Sequence, residues 1–276
     1  MPENDKSDSK RTKILVWAGG VLTAVLIAGL TDSLSPLIRL AADLLNIGRP
    51  ALRATVVPAG GRAPHLAVSA LPATPQDRAL FLGGRFTDPA FLDLAGQLGG
   101  AWVKWVRVRV VFTAGRGLVR ITNVRVKEDP DPGPNVVRAF VEYPSETMSR
   151  NPQLIMNLDS PAPFFASVQK PGSAYFGPES LPVEQGKQKE LGFEIRAGSH
   201  SHTFKLEVEY VPAEGGKPES LTVSDAGGRP FRVTGAPDRY TGYGTVYRNT
   251  GAGLHAVTGR AACELFEPER ACVSPG

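Results

Sequence analysis

Cysteine is scarce in this 276-residue chain: two residues, Cys263 and Cys272, both near the C-terminus. There is no CxxC, zinc-ribbon or haem-attachment spacing, which excludes the common cysteine metal sites. No GxSxG elbow, HExxH, P-loop, EF-hand loop or GxGxxG leading into a helix occurs, so the motif-bearing enzyme and nucleotide-binding classes lose their sequence support. Charge of one sign is lacking too. Thirty-one basic residues face 27 acidic ones, and the basic residues are scattered rather than gathered into a stripe. Phosphate tracking needs such a stripe, so no nucleic-acid partner is indicated. No cofactor is indicated either, and the sequence gives no sign of an enzyme.

Glycine (30) and proline (24) are plentiful. The excess points to a turn-rich chain, below the level at which composition alone implies disorder. Residues 1–13 are polar and read as a cytoplasmic tail. Lys10, Arg11 and Lys13 then precede a charge-free run, Ile14–Leu30, closed by Asp32. As a helix this run covers roughly 25 Å, near the lower limit for a bilayer core. It is longer than a signal-peptide core and lacks a small-x-small cleavage site at its exit. The expectation is an uncleaved transmembrane helix over residues 14–31, contacting membrane lipid. The basic collar places the N-terminus inside and the C-terminal domain outside the cell membrane. In an oxidising compartment, Cys263 and Cys272 are expected to pair as a disulfide.

Residues 32–50 carry Ser35-Pro36 as a helix start, an apolar face of Leu37, Ile38, Ala41, Leu44 and Leu45, and Gly48 and Pro50 as the stop. They read as a short juxtamembrane amphipathic helix. Residues 51–100 read as a Pro/Ala/Gly-rich linker with short elements. A strand near Leu52–Val57 and a helix capped by Asp88 and Pro89 are expected there.

After Gly100 the apolar period becomes two. Val106, Val108, Val110 and Phe112 share one face, with Arg107 and Arg109 opposite. In Leu118–Lys127 the phase flips at Thr122-Asn123, the mark of a β-bulge. Phe204, Leu206, Val208 and Tyr210 alternate with Lys205, Glu207 and Glu209. About eight strands are expected over Ala101–Thr234. The fold class is mainly β, an antiparallel immunoglobulin-like β-sandwich over 101–235 preceded by one N-terminal transmembrane helix and the short amphipathic helix. Ser160–Gly186 reads as a long loop. Residues 236–276 read as a loop-rich C-terminal segment holding the disulfide.

The N-terminal anchor, the run VRVRVVFTAGRGLVRITNVRV (Val106–Val126) and the hairpin FKLEVEY…GGRPFRVTG (Phe204–Gly235) together resemble a group of uncharacterised actinobacterial single-pass membrane proteins. That resemblance implies an exported β-sandwich-like domain without an established activity. Such relatives often carry Cys-x-Cys before the penultimate long strand. This chain has His200-Ser201-His202 there, so nothing about a thiol carries over.

His200 and His202 are weak metal candidates, since two histidines at i, i+2 supply half a zinc or copper site and no further ligand is adjacent. Solvated loop histidines are the ordinary alternative. Glu142, Glu146, Asp159 and Glu194 lie near strand ends, where a glycosidase would need two facing carboxylates. Trp102, Trp105, Tyr240, Tyr243 and Tyr247 offer aromatic contacts for a partner or glycan, with ordinary packing as the alternative. Arg107, Arg109, Arg120 and Arg125 give strand faces a basic character that suits anionic wall polymer. The functional expectation is a structural or protein-interaction role at the cell envelope, with an envelope protein or wall polymer as partner. The alternative is a ligand-binding or sensing ectodomain for metal, glycan or lipid. The oligomeric state is left open.

Overall fold

The computed structural model describes residues 50–58, 65–83, 88–129, 133–143, 153–212, 216–249, 254–266 and 272. The expected tail (1–13), transmembrane helix (14–31) and amphipathic helix (32–50, except Pro50) lie outside these residues, as does Glu146. Among the described residues, no helix is long and apolar enough to cross a membrane.

The clearest period-two segments form the longest strands. β1 (Leu52–Pro58) pairs antiparallel with β4 (Trp105–Ala114), and β4 pairs with β11 (Gln188–Arg196). Next to β11 come β7 (Leu154–Asn157), β8 (Ala166–Ser167) and β9 (Lys170–Ala174), completing a six-stranded sheet. The second sheet has ten strands. It begins with β10 (Leu181–Val183), β5 (Val119–Glu128), β12 (Ser201–Pro212) and β14 (Phe231–Thr234), with β13 (Glu219–Val223) also on β12. It continues through β3 (Ala101–Val103), β2 (His65–Val68), β6 (Ala139–Glu142), β15 (Val246–Asn249) and β16 (Leu254–Val257).

The two sheets face each other over one apolar cluster. Val108, Val110 and Phe112 of β4 meet Phe193 and Ile195 of β11 and Phe204, Leu206 and Val208 of β12 there. Burial of these alternating side chains is the main favourable term, worth about 1.5–3 kcal/mol for each large apolar residue. On the opposite faces, charges pair across neighbouring strands. Arg107 lies 2.9 Å from Glu194, its register partner. Arg125 lies 2.7 Å from Glu207, likewise its partner.

The expected bulge at Thr122-Asn123 is present. Glu209 pairs with Asn123 and Tyr210 with Ile121, leaving Thr122 as the extra residue. Just before the expected Val106–Phe112 alternation, the chain is broken between β3 and β4 at Lys104, which has φ 67°. That left-handed residue is uncommon without glycine. It lets the chain leave the ten-stranded sheet at Val103 and enter the six-stranded sheet at Trp105.

The expectation of a purely antiparallel sandwich is corrected by three parallel pairs: β11 with β7, β14 with β3, and β15 with β6. Alternation reports which face of a strand is buried, not which way its neighbour runs. The packed region also extends beyond 101–235. Helices α1 (Pro75–Gly83) and α2 (Pro89–Gln97) cover one face of β2, β6 and β15, burying Phe81, Phe91, Tyr143 and Tyr247. Asp88 caps α2 by accepting from the Ala90 N–H at 2.9 Å, with Pro89 opening the helix. Helix α3 (Gly259–Phe266) covers the other face, where Phe140 and Tyr243 are buried. This end is layered helix, sheet, helix. β6 is accordingly buried on both sides at Ala139, Phe140 and Val141. The stretch read as a long loop, Ser160–Gly186, holds three short strands that lack alternation: β8, β9 and β10.

Candidate functional site

His202 continues the apolar column of β12 one step past Phe204 and is only 5% exposed. His200 precedes the strand and is mostly exposed. Both rings reach Asp159, in the turn that follows β7. His202 Nε2 lies 3.0 Å, and His200 Nδ1 3.1 Å, from Asp159 Oδ1. The side-chain ligand atoms of the three residues all lie within 4.8 Å of one another.

The parallel pairing of β7 with β11 makes this meeting. It sets the C-terminal ends of both strands side by side, and the Leu158 N–H donates to the Arg196 carbonyl at 2.9 Å. The turn after β11 then passes directly over residue 159. Gly198 and Ser199 both donate backbone N–H groups to Asp159 Oδ2, the latter at 3.0 Å. Burial acts to raise the pKa of Asp159. The bonds from Gly198, His202, Ser199 and His200 outweigh it and hold the carboxyl well below the usual range. One carboxylate oxygen is thereby fixed by backbone while the other is presented to the two imidazoles. On the far side of His202, Glu128 Oε2 lies 3.5 Å from Nδ1.

A second glycine supports the turn. Gly235 donates its N–H to the His200 carbonyl at 2.9 Å. A methyl group on Gly235 would stand 2.5 Å from the Gly198 carbonyl oxygen and 2.8 Å from its carbon. Backbone cannot yield as a flexible side chain can. Gly235→Ala is therefore expected to cost about 1–3 kcal/mol, the range for overpacking, and to displace the turn holding Asp159. Urea denaturation reads the first effect. Shifted amide resonances of Gly198 and Ser199 read the second.

The other candidates have ordinary partners. Glu194 is buried between Arg107 and Arg196, at 2.9 and 2.6 Å. Glu142 sits 3.9 Å from Arg248. Arg109 lies 3.9 Å from Glu190, so three of the four arginines singled out face carboxylates of their own sheet. Trp105 carries the Arg107 guanidinium 4.7 Å above its ring, and Trp102 is half-buried against two core clusters. Tyr243 and Tyr247 are core residues, at ring distances of 5.3 Å from Phe140 and 6.4 Å from Phe81. Cys263 of α3 is bonded to Cys272, with Cα atoms 5.9 Å apart.

Among the described residues, two surface clefts bear on the site. The larger, about 620 Å³, is lined by Arg138, Arg232, Ser69, Ser201 and Thr203 among others. The smaller, about 250 Å³, lies between α2 and the Asp225–Arg232 turn and is lined by Leu92, Trp102 and Arg229. Neither brings imidazoles together.

The ordinary reading of solvated loop histidines fails for His202, which is 5% exposed because the Phe204–Tyr210 column runs back to it. Asp159 was legible only as a carboxylate after a strand, since its approach to residue 200 depends on the parallel pair. Glu128 gave no separate signal. No protein family, no curated protein and no solved structure matches this chain.

Proposed function

We propose that the chain is a single-pass protein of the cell envelope whose exported β domain has a structural or protein-interaction role. The observation that carries this reading is the charge-free run Ile14–Leu30 directly behind Lys10, Arg11 and Lys13. The bonded Cys263–Cys272 pair supports placement on the oxidising side. The filled core clusters support a scaffold, and Phe164 and Val168, exposed at 43% and 45% on either side of β8, add apolar surface. An immunoglobulin-like role as an adhesion or docking module fits the sandwich portion. A protein partner suits the strand faces better than an anionic polymer, since Arg107, Arg109 and Arg125 already meet carboxylates.

In-cell crosslinking of the intact protein, with identification of what it captures, tests the interaction role. A reproducible envelope protein is the expected result. Capture of nothing, together with tight binding of muropeptide by the purified protein, would replace the reading with that of a glycan-binding domain. Protease shaving of intact cells tests the topology. Everything after Asp32 should be removed, and full protection would overturn the orientation. The ligand-sensing alternative has one specific observation in its favour, the convergence of His200 and His202 on Asp159.

A further inference from the structure

We propose that Asp159, His200 and His202 bind a divalent transition-metal cation of the zinc class, with Glu128 orienting His202 from behind. The proposal stands on side-chain geometry and does not depend on the membrane anchor.

The donors suit the metal. Two imidazole nitrogens and one carboxylate oxygen are borderline ligands of the kind zinc and copper take, whereas calcium and magnesium prefer all-oxygen sets. Bonds of about 2.0–2.2 Å to one ion put neighbouring ligand atoms roughly 3–3.5 Å apart. Asp159 Oδ1 already lies 3.0 and 3.1 Å from the two nitrogens. The three ligand atoms spread within 4.8 Å, against a span of at most about 4.2–4.4 Å for two bonds to one ion, so His200, exposed at the turn, would swing inward on binding, and its exposure gives the ion a way in. Three protein ligands leave at least one position for water.

Hydrogen bonding around His202 gives the second argument. A neutral imidazole carries one N–H. If that proton sits on Nε2, it serves Asp159. Nδ1 is then a bare acceptor, buried and without a hydrogen-bond partner, facing the Glu128 carboxylate at 3.5 Å. If the proton sits on Nδ1, it points at Glu128, and the Nε2 lone pair is set against Asp159 Oδ1 at 3.0 Å. Both neutral forms therefore oppose two acceptors across a ring that is itself only 5% exposed. A cation between Nε2 and Oδ1 removes the conflict in the second form. A protonated ring would remove it too, and the experiment below separates the two.

The surroundings match what a metal site requires beyond its ligands. A ligating histidine ordinarily turns its other ring N–H to a carboxylate, which fixes the tautomer. Glu128, at the end of β5 where it pairs with Phe204, stands 3.5 Å from Nδ1 without a formed hydrogen bond and is the carboxylate that would take up that N–H. A ligating carboxylate is itself held by hydrogen bonds. Gly198 and Ser199 hold Asp159, and Gly198 lets the backbone come close: a methyl group there would lie 3.2 Å from Asp159 Oδ2.

The test is zinc titration of the full-length protein after chelator treatment, by calorimetry, with cobalt substitution as a spectroscopic check. One zinc per chain is expected, and cobalt should give the visible bands of a four- or five-coordinate site with nitrogen ligands. His200→Ala lies on the surface and should leave the fold intact while abolishing the cobalt spectrum or weakening zinc at least about tenfold. Glu128→Gln should weaken zinc about 10–100-fold, the usual effect of losing a carboxylate behind a ligating histidine, and conservative Glu128→Asp should recover part of it. Absence of stoichiometric zinc would leave a hydrogen-bonded trio and overturn the proposal. Zinc binding unchanged in His200→Ala and Glu128→Gln would place the metal elsewhere and overturn it equally.

Discussion

Phe193→Ala is expected to destabilise the folded domain by about 3–5 kcal/mol, the range for removing a fully buried aromatic ring. Phe193 has no exposed surface and lies on β11, between β4 and β7. Its backbone partners are Val108 on one side and Leu154 on the other. Its ring meets Phe165 edge-on, with centroids 5.0 Å apart. Deleting the ring removes apolar burial, that aromatic contact and the filling of the sandwich between its sheets. Val108 and Leu154 are β-strand residues held by ladders on both sides, so they cannot collapse into the space. Such a loss is a large share of the roughly 5–15 kcal/mol typical of a domain. Urea denaturation of wild type and variant reads it as a shift in midpoint at similar slope. Phe164→Ala serves as the contrast. Phe164 is 43% exposed, so its loss should stay within about 0.5 kcal/mol. Equal effects in the two variants would mean that the sandwich core is not where the stability resides.

The comparison of sequence with structure divides along one physical line. Faces were legible, because burial of one side of a pleated strand writes itself as period two. Val106–Phe112, the flip at Thr122-Asn123 and the Phe204–Tyr210 column were all read that way. The cap at Asp88 was legible because it depends on a short side chain and a proline next to each other. Strand direction was not legible, and the three parallel pairs follow from connections that local pattern does not encode. β6 was legible as a strand from the alternation of Ala139, Val141 and Tyr143, but the burial of Phe140 on its other face was not. The extent of the packed region suffered similarly. His65–Val68 and Val246–Asn249 are too short to show a period, and their burial comes from helices packed on the sheet, which local alternation does not report. The candidate site falls on both sides of this line. His200 and His202 stood out as neighbours in the chain. Asp159 reached them only through the pairing of β7 with β11, some 40 residues apart in sequence.

Acid should weaken the fold through His65, and His65→Gln should remove much of that sensitivity. His65 opens β2, with its ring 4.8 Å from Phe140. Burial, aided by the positive charge of Lys104, pushes its pKa down from 6.5 to about 4. The folded state thus keeps the ring neutral at pH values where the unfolded chain protonates it. Stability contributed by the neutral ring is fully present above about pH 6.5 and is lost as pH falls toward 4. Two and a half units at about 1.36 kcal/mol each set a ceiling near 3 kcal/mol. His65 is only partly buried by surface area, so about 2 kcal/mol is the better expectation once water is allowed to screen it. Glu142, the register partner of His65, works the other way. Burial raises its carboxyl pKa, against the pull of Arg248 and of the Asn249 backbone, so protonating it in acid favours the folded state. The wild-type profile is the sum of these opposed slopes, which is why the variant is needed. Urea midpoints measured from pH 7 to pH 4 in wild type and His65→Gln isolate the histidine as the difference between two curves. The gap in stability between them should change by about 2 kcal/mol across that range, in the variant's favour at low pH. Parallel curves would show that water reaches the ring freely and that it is not held against Phe140.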